Sequence, residues 1–280
     1  MDALLSAESL QDVLSELQGK VKKQPADPKH RVFLFQLLSV LGQWERAATQ
    51  LAVVGDLDAA ALAMVQTYRE ALQCEALREE VFQGKRTPLV FGEPQQWIAL
   101  LVEALKFDAE GAHSNAADLR NEAFEMAPTT SGSLKTDEEH TFDWVADADM
   151  RLGPVLEAVI NGKYYWVPFS RIRTIVLEPP EDLRDLVWTP AFFTWSNGGE
   201  AVGLIPTRYQ GSENSESSAV QRSKRTEWVE TAPDFYVGMG QRMLATDSGE
   251  FALMDVREIT LDTEDEGDAN APEGEPEAAE

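Results

Sequence analysis

A chain of 280 residues with 43% hydrophobic and 9% aromatic content can bury a substantial core, which excludes a disordered protein and allows one large domain or two small ones. Its formal charge of −25, from 49 acidic against 24 basic residues, argues against nucleic acid as a partner, because phosphate binding needs a basic surface. The lone cysteine, Cys74, rules out an internal disulfide and suits a reducing compartment.

Residues 1–17 carry Asp2, Glu8, Asp12 and Glu16 and lack the basic start and apolar centre of a signal sequence. No apolar run approaches the roughly 20 residues that span a bilayer. A cytoplasmic protein with no membrane partner is expected. Residues 1–128 are expected to be helical. Leu57, Ala61, Met64, Val65, Tyr68 and Leu72 recur at three- and four-residue steps on one helical face, with Asp56 or Asp58 placed to cap it. Residues 33–41 are apolar almost all round, as in a helix buried between others. Gly42, Trp44, Ala47 and Leu51 follow the order of a tetratricopeptide helix pair, and Gly111, His113, Ala116, Ala123 and Pro128 repeat it. Arg120 stands where that pattern has a large apolar residue, and an ordinary helical bundle fits the spacing equally well.

Residues 129–135, TTSGSLK, are polar and aperiodic, so the domain boundary is expected there. This gives a helical domain over 1–128, a linker over 129–140, a β-rich domain over 141–261 and an acidic tail over 262–280. A fragment ending near Pro128 is then expected to fold by itself. Beyond the linker the signals are antiparallel β. The apolar run 155–160 meets Asn161-Gly162, the dipeptide best suited to a two-residue hairpin, and the chain returns through Tyr164, Tyr165, Trp166 and Val167 to Pro168, which ends the ladder. Residues 172–177 resume with β-branched side chains. A second hairpin is expected around residues 195–200, joining 192–195 to 201–205. Residues 211–223 read as a long polar loop, with short strands following at 226–229, 235–237, 242–245 and 250–256, and Asp247-Ser248-Gly249 in the last turn. The fold class is therefore α+β, an N-terminal helical half of tetratricopeptide-like helix pairs followed by a compact antiparallel β-rich half.

The stretch from Asp262 onward holds nine acids and no base. Removing those nine from the formal charge of −25 leaves −16, so the body is acidic as well. With no apolar residue larger than alanine or proline to offset chain entropy, the tail is expected to be disordered and dispensable for stability.

Motifs for chemistry fail on inspection. Asp247-Ser248-Gly249 lacks the glycines that flank a serine-protease nucleophile, and reads as a turn. Gly238-Met239-Gly240 has Met243 in the third glycine position of a dinucleotide fingerprint, and Gly84-Lys85-Arg86-Thr87 has Glu79 where a phosphate loop needs its first glycine. His30, His113 and His140 lie far apart in sequence, so no zinc site is expected. Asp143, Asp147 and Asp149 lack the Gly and bidentate Glu of a calcium loop and read as a solvated acidic stretch. No cofactor and no metal are expected.

One ordered series of residues is far more specific. It comprises Arg151-Leu152-Gly153-Pro154, Asn161-Gly162-Lys163-Tyr164-Tyr165-Trp166-Val167-Pro168-Phe169, Arg171-Ile172, Glu178-Pro179-Pro180, Leu183-Arg184-Asp185-Leu186-Val187-Trp188, Pro206-Thr207-Arg208-Tyr209 and Arg225-Thr226-Glu227-Trp228. The series resembles the ImpE/SciE/TagJ family of accessory proteins of the bacterial type VI secretion system. The resemblance implies a helical front half, a β-rich back half and no catalytic motif. It also implies a non-enzymatic adaptor that binds a helix of the small sheath protein and, through it, relates to the ClpV-type AAA+ unfoldase that recycles contracted sheath.

Within the series, Tyr164, Tyr165 and Trp166 are consecutive, so a strand sends them to both faces and at least one ring is expected outside the core. Trp, Tyr and Arg dominate interface hot spots. Tyr164, Tyr165, Trp166, Arg171, Arg184, Trp188 and Arg208 are accordingly the candidate protein-binding residues. The competing reading makes the rings core and has the arginines neutralise local carboxylates such as Glu178 and Asp185. An enzyme with an anion pocket among Tyr165, Arg171, Arg184 and Arg208, or a generic helical-repeat scaffold, is the alternative function.

Overall fold

The computed structural model describes residues 9–263, so residues 264–280, which hold nearly all of the acidic tail, lie outside the described residues. Six helices fill residues 10–126. α1 (Leu10–Lys23) starts where the Ser9 hydroxyl accepts the Asp12 N–H at 3.3 Å, and it ends on Lys20, Lys22 and Lys23, which oppose the negative end of the helix dipole. α2 (Pro28–Val40) is capped by Asp27 with Pro28 in its first turn, and its residues 34–40 are all buried, as an all-round apolar helix requires. α3 (Trp44–Leu57) pairs with α2, and α5 (Gln96–Ala109) pairs with α6 (His113–Met126). Both connectors turn on a glycine with positive φ, Gly42 at 66° and Gly111 at 76°. These are the two places where the sequence repeats its pattern, and the small residues Ala47, Ala116 and Ala123 are fully buried there.

The helix expected from Leu57 onward instead begins at Leu62. Asp58 caps a short 3-10 turn, Ala59–Ala61, by accepting the Ala60 N–H at 3.0 Å, and α4 (Leu62–Phe82) follows. Arg120, at the position that departs from the repeat pattern, is buried. It ion-pairs with Asp108 and sets its guanidinium 3.7 Å from the Phe235 ring centre.

A nine-stranded sheet makes up most of the back half. In chain order the strands are β1 (Leu89–Val90), β2 (Gly132–Lys135), β3 (Glu139–Phe142), β5 (Val155–Ile160), β6 (Lys163–Pro168), β7 (Ile172–Leu177), β8 (Trp188–Trp195), β9 (Glu200–Pro206) and β14 (Glu258–Leu261). They lie side by side as β1-β6-β5-β9-β8-β7-β14-β2-β3. The β5–β6 hairpin turns on Asn161 (φ 49°) and Gly162 (φ 71°), β6 ends at Pro168, and β8–β9 is the second hairpin, as the sequence predicts. β4 (Val145–Asp147), β12 (Met243–Thr246) and β13 (Gly249–Ala252) form a small second sheet, and β10 (Thr226–Ala232) pairs with β11 (Phe235–Gly240) as a separate hairpin. The polar stretch 211–223 holds a 3-10 turn, Ser212–Asn214, and the short α7 (Ser218–Gln221), which is pinned by the fully buried Val220.

Two expectations fail here. The linker placed at 129–140 holds β2 and the start of β3, because β2 pairs with β14 on one side and β3 on the other. Only Leu134 of β2 is fully buried, so the sequence offers too few inward apolar positions to reveal a strand. The boundary between self-contained halves also fails. β1, from the segment between α4 and α5, lies parallel beside β6, so the helical half supplies an edge strand of the sheet. One apolar core runs through both halves, joining Phe35, Leu51 and Leu72 to Val155, Tyr164, Trp166 and Trp188. A second core lies on the other sheet face, around Leu156, Ile160, Ile175, Phe193 and Ile205 with Val145 and Leu244 of the small sheet. β5 touches both, which is why all six of its residues are buried and read as one apolar run.

A fragment ending at Pro128 would leave half of the shared core open to water and β1 without its neighbour. It should therefore show no cooperative thermal transition by circular dichroism, where the full chain shows one; a sharp transition in the fragment would mean that the helices hold a core of their own.

Candidate functional site

Glu157 is the single polar residue on β5, and it is fully buried. It is held from two directions. Arg78 of α4 donates from Nε to Oε1 at 2.6 Å and from Nη2 to Oε2 at 3.0 Å, and Arg242, just before β12, donates to Oε2. The Tyr164 hydroxyl donates to Oε1 at 2.5 Å and accepts the Trp166 indole N–H at 2.9 Å. On the helical side, Glu75 sits beside Arg78 and accepts the Trp188 indole N–H at 2.8 Å. On the side of the small sheet, Arg242 also pairs with Asp147, which accepts the Tyr209 hydroxyl at 3.1 Å and the Asp149 N–H at 2.8 Å. Asp149 in turn holds Arg151 and the Gly238 N–H. The result is a closed ionic seam through the centre of the molecule.

Its electrostatics follow from burial and pairing. Burial alone would raise the Glu157 carboxyl, but the guanidiniums of Arg78 and Arg242 outweigh it and hold the group down at about 2. For Asp147 burial wins against Arg242, with Asp149 adding to it, and the carboxyl is pushed up to about 6. Burial also raises Glu75, against the pull of Arg78 and the Trp188 hydrogen bond. A carboxyl raised in this way is the mark of a general acid or base, but both oxygens of Asp147 are already taken by protein donors. The acidic stretch that the sequence suggests is solvated is therefore the reverse at two of its three positions, since Asp147 and Asp149 are buried and ion-paired. Among the described residues no cluster of His, Cys, Asp or Glu could hold a metal, and no helix is long and apolar enough to cross a membrane.

The seven candidate binding residues do not form one face. Tyr164, Trp166, Trp188 and Arg208 are buried, the first three in the seam or directly beside it. Arg208 donates to the carbonyls of Ser39, Val40 and Gln221, tying the back half to the end of α2. Tyr165 points to the opposite sheet face and meets Phe91 edge-on at 5.9 Å. Arg171 lies against Gly92, while Arg184 pairs with Asp182 and stacks over Tyr68 at 4.9 Å. The pocket expected among Tyr165, Arg171, Arg184 and Arg208 is thus not assembled, because each side chain is drawn to a different element. Strand alternation does split the aromatic triplet, as expected: Tyr164 and Trp166 are buried on one face, and Tyr165 is half-buried on the other, packed against the edge of the second core.

Sequence reading missed Arg78, Glu157 and Arg242. The one available signal was a glutamate inside an otherwise apolar strand. It also missed a groove of about 380 Å³ between the end of α6 and β4, lined by Phe124, Ala127, Pro128, Trp144, Met150 and Pro154 among others. Gly153, with φ 52°, lets α6 come this close, because any Cβ there would collide with the Phe124 ring.

These features define an α+β protein whose helical and β layers are locked through one buried ionic seam. Residues 139–260 match the ImpE protein family. The chain is 49% identical over 264 residues, 94% of its length and 92% of the relative's, to the type VI secretion system accessory component TagJ of Pseudomonas aeruginosa. It superposes on the X-ray crystal structure of protein VPA1032 from Vibrio parahaemolyticus with a TM-score of 0.83 at 26% identity, covering 94% of this chain and 97% of that one. The chain belongs to the TagJ/ImpE family of type VI secretion system accessory proteins.

Replacing Glu157 with Gln leaves two buried guanidiniums without the carboxylate between them and should lower the unfolding free energy at pH 7 by about 3–5 kcal/mol. A raised carboxyl such as Asp147 adds stability below the ordinary aspartate range and loses it as pH rises through about 6. Glu157 works in the opposite sense, its contribution being lost only as pH falls through about 2. Urea midpoints at pH 7 and pH 5 should therefore show the wild type gaining stability at the lower pH relative to Asp147→Asn, and parallel shifts in the two proteins would refute the assignment.

Proposed function

We propose that this protein is a non-enzymatic, cytoplasmic adaptor of the type VI secretion system that binds the small sheath protein by a helix and links the sheath to its ClpV-type unfoldase. The observation that carries this reading is the 49% identity along nearly the whole chain to an accessory component of that system. The site chemistry agrees, because the seam spends its carboxylates and guanidiniums on one another and leaves recognition to the surface. An acidic body with an exposed apolar groove suits protein partners rather than phosphate polymers.

Titration calorimetry of the full chain with a synthetic peptide of the small sheath protein's terminal helix should give a binding isotherm without nucleotide or metal. Salt should weaken it only moderately if apolar burial dominates. Absence of heat at any salt concentration removes the adaptor reading.

A further inference from the structure

The groove between α6 and β4 has the properties of a receptor. Trp144 is 40% exposed at its mouth, an unusual position for a tryptophan that has a core beside it. It is also held in place. The Asp247 carboxylate accepts the backbone N–H of Asp143 at 2.7 Å and of Trp144 at 3.4 Å, which fixes the backbone at the start of β4 from which the ring projects. The walls are apolar side chains from α6 and from the connector into β5, and the seam behind them anchors β4 through Asp147.

The charge around the groove selects an occupant. Among the described residues no Lys or Arg lines it. Exposed acids surround it instead: Glu125 beside Phe124 on α6, Asp143 beside Trp144, Asp247 beneath both, and Asp262 hydrogen-bonded by Ser131 next to the lining residue Thr130. We propose that this groove docks a short amphipathic segment of a partner protein, with apolar side chains on one face set against Trp144 and Phe124 and with Lys or Arg flanking them to meet the acidic rim. This rests on the adaptor reading above, and it moves the contact away from the Tyr164, Trp166 and Trp188 cluster, which is buried. A separate exposed apolar patch, Val176, Phe192 and Val202 on neighbouring sheet strands, is away from this groove and serves as the control.

The test uses the full chain and two probes of equal length, an amphipathic Leu/Lys peptide and its Leu/Glu counterpart, beside the sheath peptide. The wild type should bind Leu/Lys and discriminate against Leu/Glu. Trp144→Ser should lower the affinity for Leu/Lys at least about tenfold, as loss of a central aromatic anchor does. Phe192→Ser should leave it unchanged, and the double variant Glu125→Lys, Asp143→Lys should weaken Leu/Lys and improve Leu/Glu. Both positions of the charge variant and Trp144 are exposed, and matching thermal transitions would confirm intact folding. Equal affinity of Trp144→Ser and wild type, preference for Leu/Glu, or no binding of Leu/Lys overturns the groove assignment. If Leu/Lys binds through Trp144 and the sheath peptide gives no heat, the sheath reading fails and the groove stands; if the sheath peptide binds equally to Trp144→Ser, the groove fails and the sheath reading stands.

Discussion

A fully buried glutamate on an interior strand of a sheet is tolerable only if cations reach it, and the architecture is arranged around that demand. Arg78 comes from the helical layer and Arg242 from the segment leading into the small sheet, so satisfying Glu157 requires both to be seated. Buried ion pairs contribute little net stability compared with well-packed apolar groups, but breaking one is expensive. The seam therefore acts chiefly on specificity. Any arrangement in which the helices slide along the sheet leaves charge uncompensated in a dry interior.

The same constraint explains the aromatic residues. Tyr164, Trp166 and Trp188 each carry one polar atom on a large apolar body, and in each case that atom is used by the seam while the ring fills the core. Their density in the sequence reflects the building of a buried polar network in an apolar setting. The binding surface is left to residues such as Trp144, which the seam positions indirectly through Asp147 and β4.

Much of the fold was legible. The helix pairs at Gly42 and Gly111, the Asn161-Gly162 hairpin, the stop at Pro168 and β7 all rest on local chemistry that sequence carries directly. What could not be read was non-local. β2 has linker composition because its stability comes from β14 and β3 on either side, far away in the chain or just beyond it. β1 is two residues long and exists only because β6 is beside it. Four of the seven candidate residues, Tyr164, Trp166, Trp188 and Arg208, are buried for a related reason: residue type marks Trp, Tyr and Arg as hot-spot material, while burial, which decides between core and interface, depends on which layer covers each strand face. The Arg78–Glu157 pair spans 79 positions, and no local pattern announces it.

The central claim is that the seam makes the two halves one cooperative unit. Native-state hydrogen exchange tests it most directly, by comparing backbone amides of α4 around Arg78 with those of β5 around Glu157 in the wild type and in Glu157→Gln. The account predicts that both sets open with the same free energy in the wild type and that the substitution lowers both together. Helical amides that open at much lower free energy than β5, with only one set responding to the substitution, would contradict it.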